Sequence, residues 1–344
     1  MKATLAALAT AAAIGLSPAA HAEDVVKLGM ARSISSGATL IAMARGYFKD
    51  VGIKLEAEDL DSSADAIALL AQNQFQIVEG GVSAGYFNAF TKDLPIVMTS
   101  SRASSPIGHL LMIRPDLKDV IKTPADLKGK IIASNGPGSV STYELGKMLE
   151  PYGLKISDVE IKIFPFPQYG VAFANKAIDA GLVIPTWTSE FPQKGLAVTL
   201  VEADKVIQPS PVTIAVTSMN TDWAKKNPQV AKNFFLAYQR GVRDYCQAYH
   251  NGSTRKEIIA ELVKYGLNRD PAFFETAFWN TRSADGLISV ASVMDMQQWY
   301  VANKFTGQVF PAERVIDHSY VNYANEKLGP FVLENKDSKK EGCR

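Results

Sequence analysis

The chain has few cysteines and almost no excess of charge of either sign. Its 344 residues include only Cys246 and Cys343, which are too few and too far apart for a zinc knuckle or a cysteine-held cluster. Lysine plus arginine number 36 and aspartate plus glutamate 35, which does not indicate binding to nucleic acid or to an anionic membrane surface. We therefore expect no metal, no cofactor and no nucleic-acid partner.

Signals of common catalytic sites are also scarce. The chain has four histidines and no His-Glu-x-x-His metalloprotease motif. Its glycine-rich segment 135–139 lacks the Gly-Lys-Ser/Thr ending of a phosphate-binding Walker loop. We predict that the protein is not an enzyme. An acid–base pair assembled by folding stays open, because the sequence does not show spatial neighbours.

Residues 1–22 have the pattern of a secretory signal. Lys2 precedes an apolar run rich in alanine and leucine, and Ala20-His21-Ala22 has the small-x-small pattern that signal peptidase reads before Glu23. We expect cleavage after Ala22, a periplasmic location and no lipid anchor, since no cysteine lies near the cut. The alternative is an apolar N-terminal core helix. No later stretch approaches about 20 uninterrupted apolar residues, so no membrane span is expected.

The two cysteines leave two alternatives open. In an oxidising compartment Cys246 and Cys343 could pair and fix the C-terminal segment to the helix that carries Cys246. Equally, one thiol could be buried and the other could lie in a frayed tail, because no spacing rule fixes the pair. The charged and polar segment 335–344 is itself typical of a flexible tail.

Short apolar runs alternate with segments of helical periodicity in two successive blocks, over about 25–99 and 109–217. This alternation is typical of βαβ units and parallel sheets. From Trp223 onward the pattern is mostly helical. The sequence therefore predicts an α/β protein with two lobes separated by a cleft. The loops at the carboxyl edges of the two sheets are expected to form its walls, where open α/β sheets bind ligands.

Several short sequence segments, in their order along the chain, resemble those of one family of proteins. They are Leu28-Gly29-Met30, Ala44-Arg45-Gly46-Tyr47-Phe48, Gly80-Gly81-Val82-Ser83, the stretch 123–130 and Gly136-Pro137-Gly138-Ser139. From about residue 25 to residue 305 the chain resembles the nitrate/sulfonate/taurine periplasmic solute-binding proteins of ABC transporters. The resemblance implies a type II periplasmic-binding fold with two hinge crossings. The implied lobes are 23–107 plus 216–334 and 108–215, with 335–344 as the flexible tail.

The candidate ligand contacts lie in the loops that this fold would direct at the cleft. Serine hydroxyls and free amides at a helix N-terminus suit an anionic or polar group. For each loop residue the alternative is an ordinary helix cap or turn. The candidates of the first lobe are Ser33, Ser35, Ser36, Gly37, Gly81, Val82, Ser83 and Arg102, and those of the second are Gly138, Ser139, Val140, Ser141, Thr186 and Trp187.

Two of these candidates carry more specific expectations. The guanidinium of Arg102 could hold a carboxylate or sulfonate in a bidentate grip, or it could lie in solvent, brace a contact between the lobes or pair with Glu79. The ring of Trp187, like that of Tyr169, could stack on a ligand or pack in the core.

The function expected from the sequence is capture of a small organic anion for the permease of an ABC importer in the inner membrane. A sulfonate or an aromatic carboxylate is favoured, and the protein is expected to act as a monomer. The alternatives are a thiamine-precursor (pyrimidine) binding protein, an enzyme resembling thiamine-pyrimidine synthase, or a ligand sensor linked to a receptor.

Overall fold

Two five-stranded sheets form the framework of the protein. The computed structural model describes residues 23–60, 63–268, 270–335 and 340–343, so the predicted signal sequence lies outside the described residues. The first sheet has the order β2-β1-β3-β10-β4 and the second β7-β6-β8-β5-β9. The strands are β1 Asp24–Met30, β2 Ile53–Asp59, β3 Ile77–Gly81, β4 Ile96–Ser104, β5 Leu110–Ile113, β6 Ile131–Ser134, β7 Glu160–Ile163, β8 Ala180–Val183, β9 Val198–Glu202 and β10 Thr213–Asn220. The predicted pair of α/β lobes is confirmed.

Helices cover both sheets and form the C-terminal part of the chain. They are α1 Gly37–Ala44, α2 Tyr47–Asp50, α3 Ser63–Ala71, α4 Ala84–Thr91, α5 Val140–Leu149, α6 Tyr169–Ala174, α7 Glu190–Gln193, α8 Ala203–Val206, α9 Thr221–Lys226, α10 Pro228–Tyr249, α11 Arg255–Lys264, α12 Pro271–Thr276, α13 Val290–Ala302, α14 Ala312–Val315 and α15 Ser319–Leu328. Within the described part of the chain, none of them combines the length and the apolar character needed to cross a membrane.

Strand β10 returns the chain to the first sheet after the second sheet is complete. It lies between β3 and β4 and is antiparallel to both, whereas β1 is parallel to β2 and β3. The strand begins at Thr213, which is paired with Ser104. Residues 213–215, which the sequence boundary placed in the second lobe, therefore belong to the first sheet.

One side of the boundary between the lobes is a shared apolar core. Helix α13 packs against α4 of the first lobe and α5 of the second. The ring of Trp299 on α13 lies edge-on to Tyr143 on α5, with centroids 5.6 Å apart, and the Trp299 Nε1 donates to Glu150 at 2.7 Å. Gly146 allows this approach, because a Cβ there would lie 2.1 Å from the Trp299 ring. The lobes are thus packed together along α13.

The first crossing between the lobes, residues 105–109, is fixed by a carboxylate from the second crossing, residues 203–212. The amides of Ile107 and Gly108 each donate to Asp204 at 2.8 Å. Gly108 has a φ of 70°, and a Cβ there would lie 2.3 Å from the Phe278 ring. Next to it His109 bonds to the fully buried Glu144 at 2.9 Å. This segment is therefore held by polar contacts from several elements.

The two cysteines form a disulfide, which resolves the alternatives left by the sequence. Cys246 on α10 is bonded to Cys343, and both are fully buried. The amide of Cys343 also donates to the Arg282 carbonyl at 2.9 Å. Residues 340–343 belong to the segment predicted to be a flexible tail, but the disulfide fixes this end of it to the first lobe.

Candidate functional site

The loop after β1 forms a short cap at the start of α1. Ser33 is extended, residues Ile34–Ser36 form one turn of 3-10 helix, and α1 follows directly. The Ser33 amide donates to the Ser36 hydroxyl at 2.9 Å, and the hydroxyls of Ser33 and Ser35 are 2.8 Å apart. The first amides of such a helix have no acceptor within the helix. The loop therefore presents donors at the carboxyl edge of the first sheet.

Gly37 has a packing reason for being glycine. A Cβ at this position would lie 2.7 Å from the ring of Tyr245 on α10, closer than real side-chain contacts allow. Helices α1 and α10 approach each other closely here. Its amide donates to the Ile34 carbonyl, so the structure gives Gly37 a packing role and leaves its ligand contact a prediction.

Arg102 lies beneath this loop. Its side chain is buried, and Nη2 donates to the Ala31 carbonyl at 2.7 Å and to the Ser36 hydroxyl at 3.0 Å. Its Nε lies 3.4 Å from Oε2 of Glu79, and burial lowers the pKa of Arg102. Of the roles considered above, the pairing with Glu79 is the one the geometry displays. In this structure Arg102 supports the loop from below.

Glu79 is the acidic member of the same buried cluster. Its side chain is buried, and Oε1 accepts from Thr39 at 2.5 Å and from Thr217 at 3.4 Å. The hydroxyl of Tyr86, whose pKa burial raises to about 12, accepts from Ser218 nearby. Glu79 is therefore engaged in supporting the sheet edge and the loop.

A second buried arginine, Arg282, was missed by sequence reasoning. Its Nη2 donates to the Ser35 carbonyl at 2.9 Å, and its guanidinium lies 4.1 Å from the centroid of the Tyr245 ring. It is 1% exposed. Arg282 comes from the irregular segment between α12 and α13, where no periodic pattern or motif gave a signal.

The loop after β3 and the loop after β6 meet across the lobe boundary. The amide of Ala84 donates to the Gly138 carbonyl at 2.9 Å. The hydroxyl of Tyr300 on α13 donates to the carbonyls of Val82, at 3.2 Å, and Ser139, at 2.9 Å. The structure thus brings the candidates Gly81, Val82, Gly138, Ser139 and Val140 together in one contact zone, where the lobes are closed on each other.

Three serines in these loops have different surroundings. Ser139 is the N-cap of α5, and its hydroxyl accepts from the Thr142 amide at 3.4 Å. The hydroxyls of Ser83 and Ser141 are buried without a hydrogen-bond partner in the described part of the chain. Buried hydroxyls usually find a partner. The hydroxyls of Ser83 and Ser141 therefore bond to no described residue, whereas Ser139 already has a structural role.

Residues 81–85 read Gly-Val-Ser-Ala-Gly, the spacing of the nucleophile elbow of hydrolases. An elbow holds its serine on a sharp, strained turn next to a histidine. Here Ser83 is extended with a φ of −130°, and its hydroxyl bonds to no described residue. The geometry does not support a nucleophile at Ser83.

Aromatic side chains lie in the loops that follow β7 and β8 in the second lobe. Trp187 stacks on Phe166 with centroids 6.2 Å apart and an interplanar angle of 22°, and both are partly exposed. Thr186 has a φ of 118°, which is strained for a β-branched residue. Tyr169 is buried beneath Phe166, and burial raises the pKa of its hydroxyl. The sequence did not identify Phe166, although the flanking Pro165 and Pro167 mark its loop.

Acidic, histidine and cysteine side chains do not cluster in these loops as they would around a metal. In residues 23–60, 63–268, 270–335 and 340–343 no group of three such residues could hold a metal ion. The chemistry that the site offers is therefore that of hydroxyls, backbone amides, buried guanidiniums and aromatic rings.

Comparisons with known proteins agree with this arrangement. The family model described as NMT1/THI5 like matches residues 34–248. The chain is 27% identical over 212 residues to the taurine-binding periplasmic protein of Escherichia coli K12. That match covers 61% of this chain and spans 64% of the length of that relative.

Two solved structures share the fold. One is the alkanesulfonate-binding protein SsuA from Xanthomonas axonopodis pv. citri bound to MOPS, with a TM-score of 0.68, 17% identity, and coverage of 87% of this chain and all of that chain. The other is the desulfurization enzyme DSZB, with a TM-score of 0.61, 13% identity, and coverage of 88% of this chain and all of that one. These matches show the periplasmic-binding fold and, at this identity, the fold alone.

Proposed function

The chain belongs to the NMT1/THI5-like family, and on that premise we propose that it is a periplasmic solute-binding protein that captures a small organic anion for an ABC importer. In this proposal the crossings at 105–109 and 203–212 act as hinges. The closed, monomeric form then docks on the permease in the inner membrane. The N-terminal residues 1–22 serve as the export signal.

The observation that carries the proposal is the contact between loops of two different sheets. The loop 81–83 and the loop 138–141 meet through the bond between Ala84 and Gly138 and through Tyr300. A ligand that touches both loops binds the closed state better than the open one, and this difference is what shifts the equilibrium to closure. In this proposal the contact is made by the buried hydroxyls of Ser83 and Ser141, one on each loop, which bond to no described residue.

The preference for an anion rests on the first lobe. The loop of Ser33 and Ser36 lies at the start of a helix, where the free amides and the helix dipole favour negative charge. Two buried guanidiniums bond to the same loop. We propose that the anionic group of the ligand is a sulfonate or a carboxylate. The partly exposed rings of Phe166 and Trp187 favour a ligand with an aromatic part.

Three alternatives compete with this assignment. A thiamine precursor would bind through its pyrimidine ring and needs no anionic group. A ligand sensor linked to a receptor would have the same cleft and a different partner. An enzyme is disfavoured, because Ser83 lacks the elbow geometry and both cysteines are held in the disulfide. The likeness to a desulfurization enzyme means that the fold alone does not decide this point.

A thermal-shift screen of the purified protein tests the proposal. The panel contains sulfonates, aromatic carboxylates, nitrate and thiamine precursors. A ligand at 100 times its dissociation constant adds about 2.7 kcal/mol to the stability of the folded state, which raises the melting temperature visibly. We expect a shift with sulfonates or aromatic carboxylates. A shift with thiamine precursors alone would replace the proposed ligand class, and turnover of any compound would contradict a binding function.

A further inference from the structure

Arg282 is a buried charge without an ionic partner in the part of the chain that the structure describes. Arg45 pairs with Asp244 and Glu261, and Arg102 with Glu79, but Arg282 forms no ion pair with any described carboxylate. Its Nη2 bonds to the Ser35 carbonyl, while Nε and Nη1 bond to no described residue. Buried charges are strongly unfavourable unless they are paired. Arg282 therefore has no counter-charge among the described residues.

Arg282 and Arg102 belong to one cluster beneath the loop of Ser33–Ser36. Arg102 contacts the hydroxyl of Ser36, and Arg282 contacts the carbonyl of Ser35. Among the described residues the cluster contains one carboxylate, that of Glu79, which is shared with Thr39 and Thr217. Two guanidiniums against one carboxylate leave an excess of one positive charge. Tyr245 beneath Arg282 offsets this only in part, through the face of its ring.

This excess lies next to the loop that faces the proposed ligand. Charges in the protein interior interact over several ångströms, because the surrounding dielectric constant is far below that of water. The Arg282 guanidinium bonds to the carbonyl of the loop residue Ser35, so it acts through the loop and does not need to touch the ligand.

We propose that Arg282 sets the charge selectivity of the cleft, and that the anionic group of the bound solute supplies its missing counter-charge through the Ser33–Ser36 loop. This inference rests on the proposed function and deepens it. Arg282 is a positioning residue in this scheme, and the solute class is a net anion.

Matched pairs of probes separate charge from shape. Benzenesulfonate is paired with benzenesulfonamide, and benzoate with benzamide, and the dissociation constant of each is measured by calorimetry on the purified protein. In the unmodified protein we expect each anion to bind at least about tenfold more tightly than its neutral partner. The quantity compared between variants is this ratio. Loss of a merely structural arginine would weaken both members equally.

Four variants complete the test. Arg282→Gln should reduce the ratio at least tenfold toward one, while Arg282→Lys should keep it within about threefold. Glu79→Gln, which adds one net positive charge to the cluster, should increase the ratio. The control is Arg243→Gln. Among the described residues Arg243 also has no ion pair and no partner for its Nε, but it bonds to the carbonyls of Leu328 and Gly329, away from the loop. It should leave the ratio unchanged.

Several results would overturn the inference. One is a ratio near one in the unmodified protein, and another is an equal loss for both probes in Arg282→Gln. If Arg282→Gln does not fold, an unchanged or decreased ratio in Glu79→Gln refutes the role of the cluster. Binding of only a neutral solute in the thermal-shift screen, or of none of the four probes, also refutes charge selectivity. A ratio near one in the unmodified protein would refute charge selectivity and leave solute capture intact, so the two proposals can fail separately.

Discussion

Replacing Gly81 by alanine should hold the two lobes apart. A Cβ at Gly81 would lie 2.7 Å from Cγ1 of Val140, which belongs to the other lobe. The backbone of Gly81 does not have the positive φ that disfavours alanine. The clash therefore acts across the lobe boundary, and the simplest way to relieve it is to separate the loops.

The size of the effect follows from the cost of overpacking. An extra methyl group in a closely packed contact costs about 1–3 kcal/mol. If opening relieves the clash, this energy is lost from the closed state, and each 1.4 kcal/mol lowers the ratio of closed to open protein about tenfold. Val140→Ala removes the atom that clashes. The double variant should therefore be closer to the unmodified protein than the sum of the single effects predicts.

Small-angle scattering and urea denaturation measure these effects together. We expect a larger radius of gyration for Gly81→Ala, a lower unfolding free energy and recovery of both in the double variant with Val140→Ala. The closed contact would not be the functional one if Gly81→Ala left the radius and the stability unchanged. Additive effects of the two substitutions would show that the residues do not meet across the boundary.

Three further predictions concern stability. Cys343→Ala should lower the unfolding free energy by about 2–5 kcal/mol in urea, because the Cys246 disulfide closes a loop with a sequence separation of 97; equal stability of this variant and the oxidised protein would contradict it. Glu144→Ala should cost about 1–3 kcal/mol, since it leaves the buried His109 without its partner; a loss below about 0.5 kcal/mol on the same urea assay would mean that the pair is not formed. Burial lowers the pKa of His318 below its ordinary value of 6.5. Between these two pKa values the unfolded chain binds a proton that the folded chain does not bind. The unfolding free energy therefore falls as the pH drops from 6.5 through the folded pKa. His318→Gln should flatten this part of the curve, and an identical pH dependence of the variant would refute the assignment.

The two-lobed fold could be predicted from the sequence because its strands and helices have local sequence patterns. Apolar runs alternating with helical segments predicted the strands, and the return of the chain at β10 followed from the family resemblance. β10 begins at Thr213, but the sequence boundary placed 213–215 in the second lobe, since which sheet a strand joins depends on contacts that a local pattern does not show. The closed contact at Gly81 and Val140 joins residues about sixty positions apart, and no local pattern encodes it.

The site was predicted less completely, because many of its contacts join residues that are far apart in the sequence. The serine loops were identified because helix caps and glycine turns have short signatures. Arg102 was identified, but its burial and its bond to Ser36 depend on the sheet order, which the sequence does not show. Arg282 lies 247 positions from its partner Ser35 in an irregular segment, so nothing in its neighbourhood marked it. Charge balance in a buried cluster is a property of the folded chain alone.

Calorimetric titration of a solute found in the screen, with Ser83→Ala and Ser141→Ala combined, tests most directly whether the two loops bind it together. The control is Thr123→Ala, which removes a cap before β6, at the end of that strand opposite to the loop 135–139. The account predicts one site per chain, affinity lowered at least about tenfold in the double variant, and no change in the control. Unchanged affinity in a folded double variant would contradict the claim that both loops hold the ligand.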